Sequence, residues 1–375
     1  MVSGMWPPDV GGPASHAPEF ATYLVSRGHD VEAVTMADRE PAPEPYPVHW
    51  ASRTSPIGPR HASAVKLVRR RARRAEVVYS TGMVGRSTLG ASLARRPILV
   101  KLTSDPVFER SIRFGLWNRD LDSFQRSGGF RIGLLRRKRD LELRTATHVV
   151  IPSESLRDLA LAWGLPPEKI SVVGNPVPPP PELPSRPELR RKHGLEGPTL
   201  VFAGRLVPQK SLDVALEAVN TLPWVSLVMA GEGPFDDRLH AHRDRLGLQE
   251  RARFLGPVSR QTVLELLKAG DAALLSSSWE NFPHMLVEAL SLGTPVISTD
   301  VGGVTEIVDD EVNGLLVPAA DPPALAAAIE RYFGDEELRA RLAAAGPGSV
   351  AERFAPEAIY PQLEELLTRV ARAGR

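Results

Sequence analysis

Two short segments in the second half of the chain carry residue types suited to phosphate chemistry. The first is Gly204-Arg205-Leu206-Val207-Pro208-Gln209-Lys210, with two cations five residues apart. A guanidinium grips phosphate as a fork, and an ammonium acts as a mobile point charge. Together they suit a diphosphate, the plain alternative being two solvated surface cations. Lysine is scarce here, 7 residues against 39 arginines, so Lys210 where drift would offer arginine points to a specific need. The second segment, Trp279-Glu280-Asn281-Phe282-Pro283-His284-Met285-Leu286-Val287-Glu288, holds two carboxylates eight residues apart. Pro283 fits a first helical turn, because its missing N–H would have been unpaired anyway. The N–H groups of His284, Met285 and Leu286 would then face outward toward an anion. A wholly helical segment would set the carboxylates about 12 Å apart. A hydrolytic pair across one glycosidic bond needs roughly 5–9.5 Å. The spacing suits two grips on a long ligand.

These segments need a scaffold that presents loops at one edge. Thr199–Ala203, Val225–Ala230, Ala272–Ser276 and Pro295–Ser298 read as strands, the first, second and fourth followed by Gly204, Gly231 and Gly302-Gly303. Leu212–Val219 and Met285–Leu292 read as helices between them. The first half repeats the theme with strands at Val31–Thr35, Val77–Tyr79, Ile98–Leu102 and His148–Ile151, and a helix over Ala14–Arg27. Only Met1–Ser3 remain for a strand before that helix, which is short. Apolar strands feeding helices describe parallel sheets covered on both faces. The fold class is therefore α/β, two Rossmann-like doubly wound lobes facing a central cleft, with ligands at the carboxyl ends of strands. The proline-rich stretch Asn175–Pro187 cannot be a central strand or helix and reads as a semi-rigid connector. The expected division is a first lobe over 1–174, a linker over 175–187, a second lobe over 188–350 and a final helical segment over 351–375.

Composition narrows the class. Of 375 residues 42% are apolar and 24% charged, the mix of a folded globular protein. Cysteine is absent, which excludes disulfides, thiolate metal sites and a cysteine nucleophile. No run of eighteen apolar residues and no leader pattern appear, so a cytoplasmic location is expected. The net charge of +1 hides an asymmetry: residues 1–174 carry 26 basic and 17 acidic groups, and residues 175–375 carry 20 and 28. A basic lobe favours an anionic partner. Arg126–Arg144 adds apolar Ile132, Leu134, Leu135 and Leu141 to seven basic residues and suits an anionic membrane surface at the inner face, against the bland reading of an exposed helix. Lys66–Arg74 holds six basic groups in nine residues but no aromatics, so nucleic acid is not an expected partner. Asp120-Leu121-Asp122 has the D-x-D form without a strand-end context and reads as a surface loop. His240 and His242, two apart on a polar helix, point to different faces and make no metal site.

Taken together, Gly204-Arg205 with Lys210, then Glu280 and Glu288 in an E-x7-E arrangement, resemble the retaining glycosyltransferases of family 4, which have the GT-B fold. Gly231-Glu232-Gly233-Pro234, Gly302-Gly303-Val304-Thr305-Glu306, Asn313-Gly314-Leu315-Leu316-Val317-Pro318, and Gly11-Gly12 with Arg27-Gly28-His29-Asp30-Val31 are similar to further patterns of that family. The resemblance is strong over 199–320 and weaker over 40–145. It implies transfer of a hexosyl or N-acetylhexosaminyl group from a UDP-, GDP- or ADP-sugar to a hydroxyl of a glycan, lipid-linked or small-molecule acceptor, with no cofactor and no metal. It implies that Arg205 and Lys210 contact the donor diphosphate, Glu280 the donor sugar and Glu288 the ribose. Gly204, Gly12 and the start of the helix at His284, Met285 and Leu286 complete the donor contacts. It also implies that the last helix, about Pro356–Ala371, returns to the first lobe. The departure is at Lys101-Leu102-Thr103-Ser104-Asp105-Pro106. Ser104 stands where many members carry a histidine that touches the donor sugar, which leaves Ser104, Asp105 and His16 as the sugar or acceptor contacts. Ser211 stands where glycine is usual. The alternatives are a catalytically silent nucleotide-sugar-binding protein, a GT-B epimerase, or a phosphorylase, which would carry pyridoxal phosphate on a lysine.

Overall fold

The computed structural model describes residues 1–7, 9, 12–117 and 121–374, with the backbone alone at 12–15, 113 and 122. Its strands are β1 Ala33–Ala37, β2 Val48–Ser52, β3 Val78–Ser80, β4 Ile98–Lys101, β5 His148–Ile151, β6 Ile170–Val172, β7 Thr199–Ala203, β8 Ser226–Ala230, β9 Ala252–Phe254, β10 Ala272–Leu275, β11 Val296–Thr299 and β12 Gly314–Val317. Its helices are α1 Gly12–Ser26, α2 Ile57–Ala72, α3 Val84–Ala94, α4 Pro106–Arg113, α5 Leu121–Arg126, α6 Phe130–Thr145, α7 Glu154–Ala162, α8 Arg186–His193, α9 Leu212–Asn220, α10 Asp236–Arg245, α11 Arg260–Ala269, α12 His284–Ser291, α13 Pro322–Gly334, α14 Glu336–Phe354 and α15 Pro356–Ala373.

The chain forms two compact units. The first is built from Met1–Leu116, Ser127–Pro176 and Glu357–Arg375, the second from Trp117–Arg126 and Val177–Pro356. In the first unit β3-β4-β5-β6 and β1-β2 are parallel, and Val2 bridges Val34 on one side and Ser80 on the other. The three residues Met1–Ser3 thus take the place of a first strand through one residue with a bridge on each side. β1, β3, β4 and β5 are buried at every residue, the pattern of strands covered on both faces. Because side chains alternate across a strand, Tyr79, Leu99 and Val150 pack with Phe20 of α1 and Leu363 of α15, whereas Val78, Ile98 and Val149 pack with Val68, Ala91 and Leu143.

The second unit holds six parallel strands in the order β12-β11-β10-β7-β8-β9. The strand order reverses between β7 and β10. In such sheets the crevice at the carboxyl ends of that strand pair is the ligand site. The two loops that carry the candidate cations and carboxylates follow these two strands.

Helix starts are locally encoded. Asp105 accepts the Val107 N–H ahead of Pro106, Ser153 caps α7, Ser259 caps α11, and Ser185 with Glu188 forms a capping box at α8. Two features differ from the sequence reading. Trp117–Arg126, including α5, belongs to the second unit although it lies within the first half of the chain. Strands β2, β6 and β9 were not expected. They are sheet-edge strands of three to five residues, and their half-buried side chains give no continuous apolar run. The helical segment after Phe354 starts at Pro356, and α15 lays Ile359, Tyr360 and Leu363 on the first unit's core. Among the described residues no helix is long and apolar enough to cross a membrane.

Candidate active site

The loop after β7 is shaped by backbone contacts. Gly204 N–H donates to the Ala230 carbonyl at 2.9 Å, and Leu206 N–H to Glu232 at 2.9 Å. Gly231 has φ 136°, and a Cβ there would sit 1.9 Å from the Gly204 carbonyl oxygen. The glycines of the Gly231-Glu232-Gly233 turn let two backbones meet, which any side chain would prevent. The loop then passes through a short 3-10 turn, Pro208–Lys210, and reaches Ser211 in the left-handed region at φ 45° and ψ 44°.

This loop is stapled to the one after β10. Ser276 Oγ donates to the carbonyls of Lys210 and Ser211 at 3.0 and 2.9 Å, Gln209 Nε2 donates to the Trp279 carbonyl at 2.7 Å, and Ser278 N–H donates to the Gln209 carbonyl at 2.8 Å. The staples bring Lys210 Nζ within 2.5 Å of Glu280 Oε1. The same carboxylate oxygen accepts Ser277 Oγ at 2.6 Å. Glu280 is buried, and Gly303 N–H donates to its carbonyl at 2.9 Å. Gly302, at φ 51°, lies so close that a Cβ would be 2.0 Å from that carbonyl oxygen. Arg205 is exposed and has no side-chain partner among the described residues.

The second carboxylate is held differently. Only the part from His284 onward is helical, so Glu280 lies in the loop and Glu288 in the second turn of α12. The 12 Å spacing of a continuous helix therefore does not apply. Glu288 Oε1 accepts Arg260 Nε at 3.1 Å. Burial pushes the Glu288 pKa up, with Arg260 opposing. Pro283 precedes α12 as its cap residue and does not occupy its first turn. Its carbonyl accepts the Leu286 N–H at 3.0 Å, so Leu286 does not offer that group to an anion. Met285 turns its thioether inward, where Sδ accepts the Ala203 N–H at 3.0 Å, leaving its backbone N–H at the helix start. His284 is exposed on the same turn.

In the first unit the expected contacts have mainly structural surroundings. Asp105 is buried; it caps α4 and pairs through both oxygens with Arg139 Nη1 at 3.1 Å. Both its oxygens are thus engaged by the fold, which removes it from the sugar contacts expected of it. Ser104 is half-buried just before it. His16 lies on α1 with Nε2 3.1 Å from the Tyr79 hydroxyl and its ring stacked on Phe20. Gly12 opens α1, whereas Gly11, Asp120 and the side chain of Asp122 lie outside the described residues.

The basic stretch Arg126–Arg144 divides. Arg126 ends α5 in the second unit. Arg139 points inward, paired with Asp105 and Asp140 and stacked 3.8 Å over Trp163. Arg136 donates to the Ser127 carbonyl at 2.7 Å. Arg131, Arg137, Lys138 and Arg144 stay exposed. His240 and His242 face Asp236 and Glu217 respectively, and among the described residues no group of three His, Asp or Glu could hold a metal.

Sequence reasoning missed Ser276, Ser277, Gln209 and Arg260, which position the charged groups. The serine run after β10 was a sign of the first two alone, and it is not specific to any chemistry.

The geometry agrees with two family matches. Residues 185–348 match Glycosyl transferases group 1, and residues 11–176 match the Glycosyl transferase 4-like domain. A lipopolysaccharide core biosynthesis glycosyltransferase of Rhizobium meliloti is 36% identical over 46% of this chain and 50% of its own length. An alpha-D-kanosaminyltransferase of Streptomyces kanamyceticus is 29% identical over 48% of this chain and 47% of its own. The chain thus spans about half the length of these curated relatives. Among solved structures, HepE of Anabaena in complex with UDP and glucose superposes with a TM-score of 0.77 at 21% identity, covering 98% of this chain and 99% of that one. Sucrose-phosphate synthase of Thermosynechococcus elongatus superposes with a TM-score of 0.82 at 20% identity, covering 99% of each. With both halves matched and both sheets parallel and doubly wound, the chain belongs to the family 4 glycosyltransferases and has the GT-B fold.

Proposed function

We propose that the protein transfers a sugar from a nucleotide-diphosphate sugar to a hydroxyl acceptor, with retention of configuration and without a metal ion. The observation that supports this most is the joining of Lys210 and Glu280 at the sheet's strand-order reversal, with Arg205 exposed in the same loop as Lys210. In this reading Arg205 and Lys210 take the diphosphate, Glu280 the donor sugar's hydroxyls and Glu288 the ribose. The bond from the anomeric carbon to the phosphate oxygen breaks with its electron pair leaving on phosphate. The acceptor oxygen bonds to the same face of that carbon, and its proton passes to the departing phosphate. Fixed cations and the Met285 N–H stabilise the charge that grows on the leaving group.

The test is a thermal-shift screen over UDP-, GDP- and ADP-sugars, followed by donor hydrolysis. UDP comes first, because HepE of Anabaena is crystallised with UDP and UDP-glucose. A ligand that binds only the folded chain raises the melting point by mass action. Binding of none of the three defeats the reading, and binding without turnover under any acceptor favours the silent nucleotide-sugar-binding alternative.

A further part of this proposal concerns location. The outer face of α6 exposes Phe130 (89%), Leu134 (60%) and Leu141 (68%) between Arg131, Arg137, Lys138 and Arg144. Apolar side chains among cations suit the surface of an anionic bilayer, so the protein works as a peripheral protein at the inner membrane face. Sedimentation with liposomes should require acidic lipid; equal binding to neutral liposomes counts against it.

A further inference from the structure

The first unit holds a group of cations that one carboxylate only partly balances. α3 packs between α2 and α6, and α4 packs on α6. α2, α3 and α4 follow β2, β3 and β4, so their first turns lie at the carboxyl edge of the parallel sheet. Arg60 and His61 stand near the start of α2, Arg86 in the first turn of α3, Arg110 on α4 and Lys138 on α6. Glu142 of α6 leans against the start of α3, where a Cβ on Gly85 would lie 2.0 Å from its Oε1. Lys138 Nζ is 3.8 Å from the same oxygen.

The other cations lack such a partner. The half-buried Arg86 guanidinium donates to Met36 Sδ at 2.8 Å and meets no carboxylate within ion-pair distance among the described residues. Arg60 donates to the Arg53 carbonyl at 2.9 Å. Arg110 has no side-chain partner among the described residues. Their closeness shows in their titration. Burial first, then Arg60 and Arg110, lower the Arg86 pKa against the pull of Glu142. Burial first, then Arg86, Arg60, Lys138 and Arg110, lower that of His61. Arg86, Arg110 and Lys138, from three helices, thus act on a single glutamate, and Arg60 of a fourth helix acts on Arg86 beside them. Such crowding is unfavourable unless an anion offsets it.

We propose that this cluster seats a phosphate group carried by the sugar acceptor. A carboxylate has two oxygens and is satisfied by one guanidinium. Three arginines and a lysine arriving from different helices suit the three free oxygens of a phosphate ester. Calling the phosphate's carrier an acceptor rests on the transferase reading above, whereas the anion site itself does not. The phosphate belongs either to a soluble sugar or polyol phosphate or to a lipid headgroup, and the chemistry at the cluster is the same.

The experiment uses the full chain with a nucleoside diphosphate present in excess, so that the cations of the second unit are occupied. Glycerol 3-phosphate binding is measured by calorimetry. Sedimentation with phosphatidylcholine vesicles, with and without phosphatidylglycerol, forms the lipid arm. Arg86→Gln should weaken binding of the effective probe at least tenfold, with nucleotide affinity unchanged. Arg110→Gln, an exposed change that does not threaten folding, should weaken it several-fold. Glycerol 3-phosphate binding lost in the variants assigns a soluble ester; loss confined to anionic vesicles assigns a headgroup. Equal binding by wild type and both variants, or binding of neither probe by wild type, overturns the cluster. A chain that binds no nucleotide defeats the transferase reading instead, and the phosphate arm still decides the cluster.

Discussion

Lys210 and Glu280 form an ion pair between the loops that follow β7 and β10, with Nζ 2.5 Å from Oε1 and Ser277 Oγ on the same oxygen. The two groups expected to hold opposite ends of a glycosyl–diphosphate bond thus fix one another's position. Each loop arrives from a different strand, so the pair reports the register of the whole edge.

Removing either member should disable the chemistry before it disables the fold. Lys210→Ala and Glu280→Ala are each expected to lower transfer or donor hydrolysis by about 10² to 10³, the usual loss for one preorganised contact. Circular dichroism melts should still show a cooperative transition. Wild-type turnover in both variants would remove these residues from the site.

The second buried ion pair is structural. Asp105 and Arg139 have side chains 0% and 4% exposed. Breaking such a pair leaves an uncompensated charge and costs about 3–5 kcal/mol. Arg139→Met and Asp105→Asn should each destabilise by that order in urea titrations. Replacing both by apolar residues should recover most of the loss. A change below 1 kcal/mol in both single variants would mean the pair adds nothing.

Lys101 makes stability depend on pH. It is buried at the end of β4, and its amine has no hydrogen-bond partner among the described residues. Burial pushes its pKa down to about 7. The unfolded chain keeps the proton up to the ordinary lysine value of about 10.4. Between those values the unfolded state binds more protons, so this group makes stability rise with pH from about 7 to about 10. Below 7 its burial penalty is complete. Lys101→Met should therefore be more stable than wild type at pH 6, by a few kcal/mol at about 1.4 kcal/mol per pKa unit. The gap should close as pH nears 10, as read by denaturant midpoints; a gap that does not change with pH would mean the amine does not titrate there.

Ser211 offers a gain. It occupies the left-handed region at φ 45°, where a side chain costs roughly 1–2 kcal/mol and glycine almost nothing. After allowing for the greater freedom of glycine in the unfolded chain, Ser211→Gly should stabilise by about 0.5–1 kcal/mol. An unchanged melting temperature would show that the loop relaxes instead.

Much of this was legible in the sequence because the signals were local. Apolar strands such as Thr199–Ala203 and Ala272–Leu275 stand out as runs, and Gly204 after the first marks its turn. The grouping of Lys210 with Glu280 was implied by the family resemblance, whereas the adjacency of their strands β7 and β10 came only with the structure. What stayed hidden depends on tertiary contacts. Nothing in the residues around Asp105 announces that Arg139, thirty-four positions on, takes its carboxylate. The proline before α12 has the same sequence signature at the cap as in the first turn, and nothing local announces that its own carbonyl takes the Leu286 N–H. The short edge strands β6 and β9 lack any periodic signal. The passage of Trp117–Arg126 into the second unit has no compositional mark at all.

The covering of the first unit by α15 sets an order on its assembly. Tyr79 and Phe20 come early in synthesis, but Ile359, Tyr360 and Leu363, which close over them, leave the ribosome only after the entire second unit. The nascent first unit therefore carries an uncovered aromatic face through most of translation, while the later-made second unit can complete its own core first.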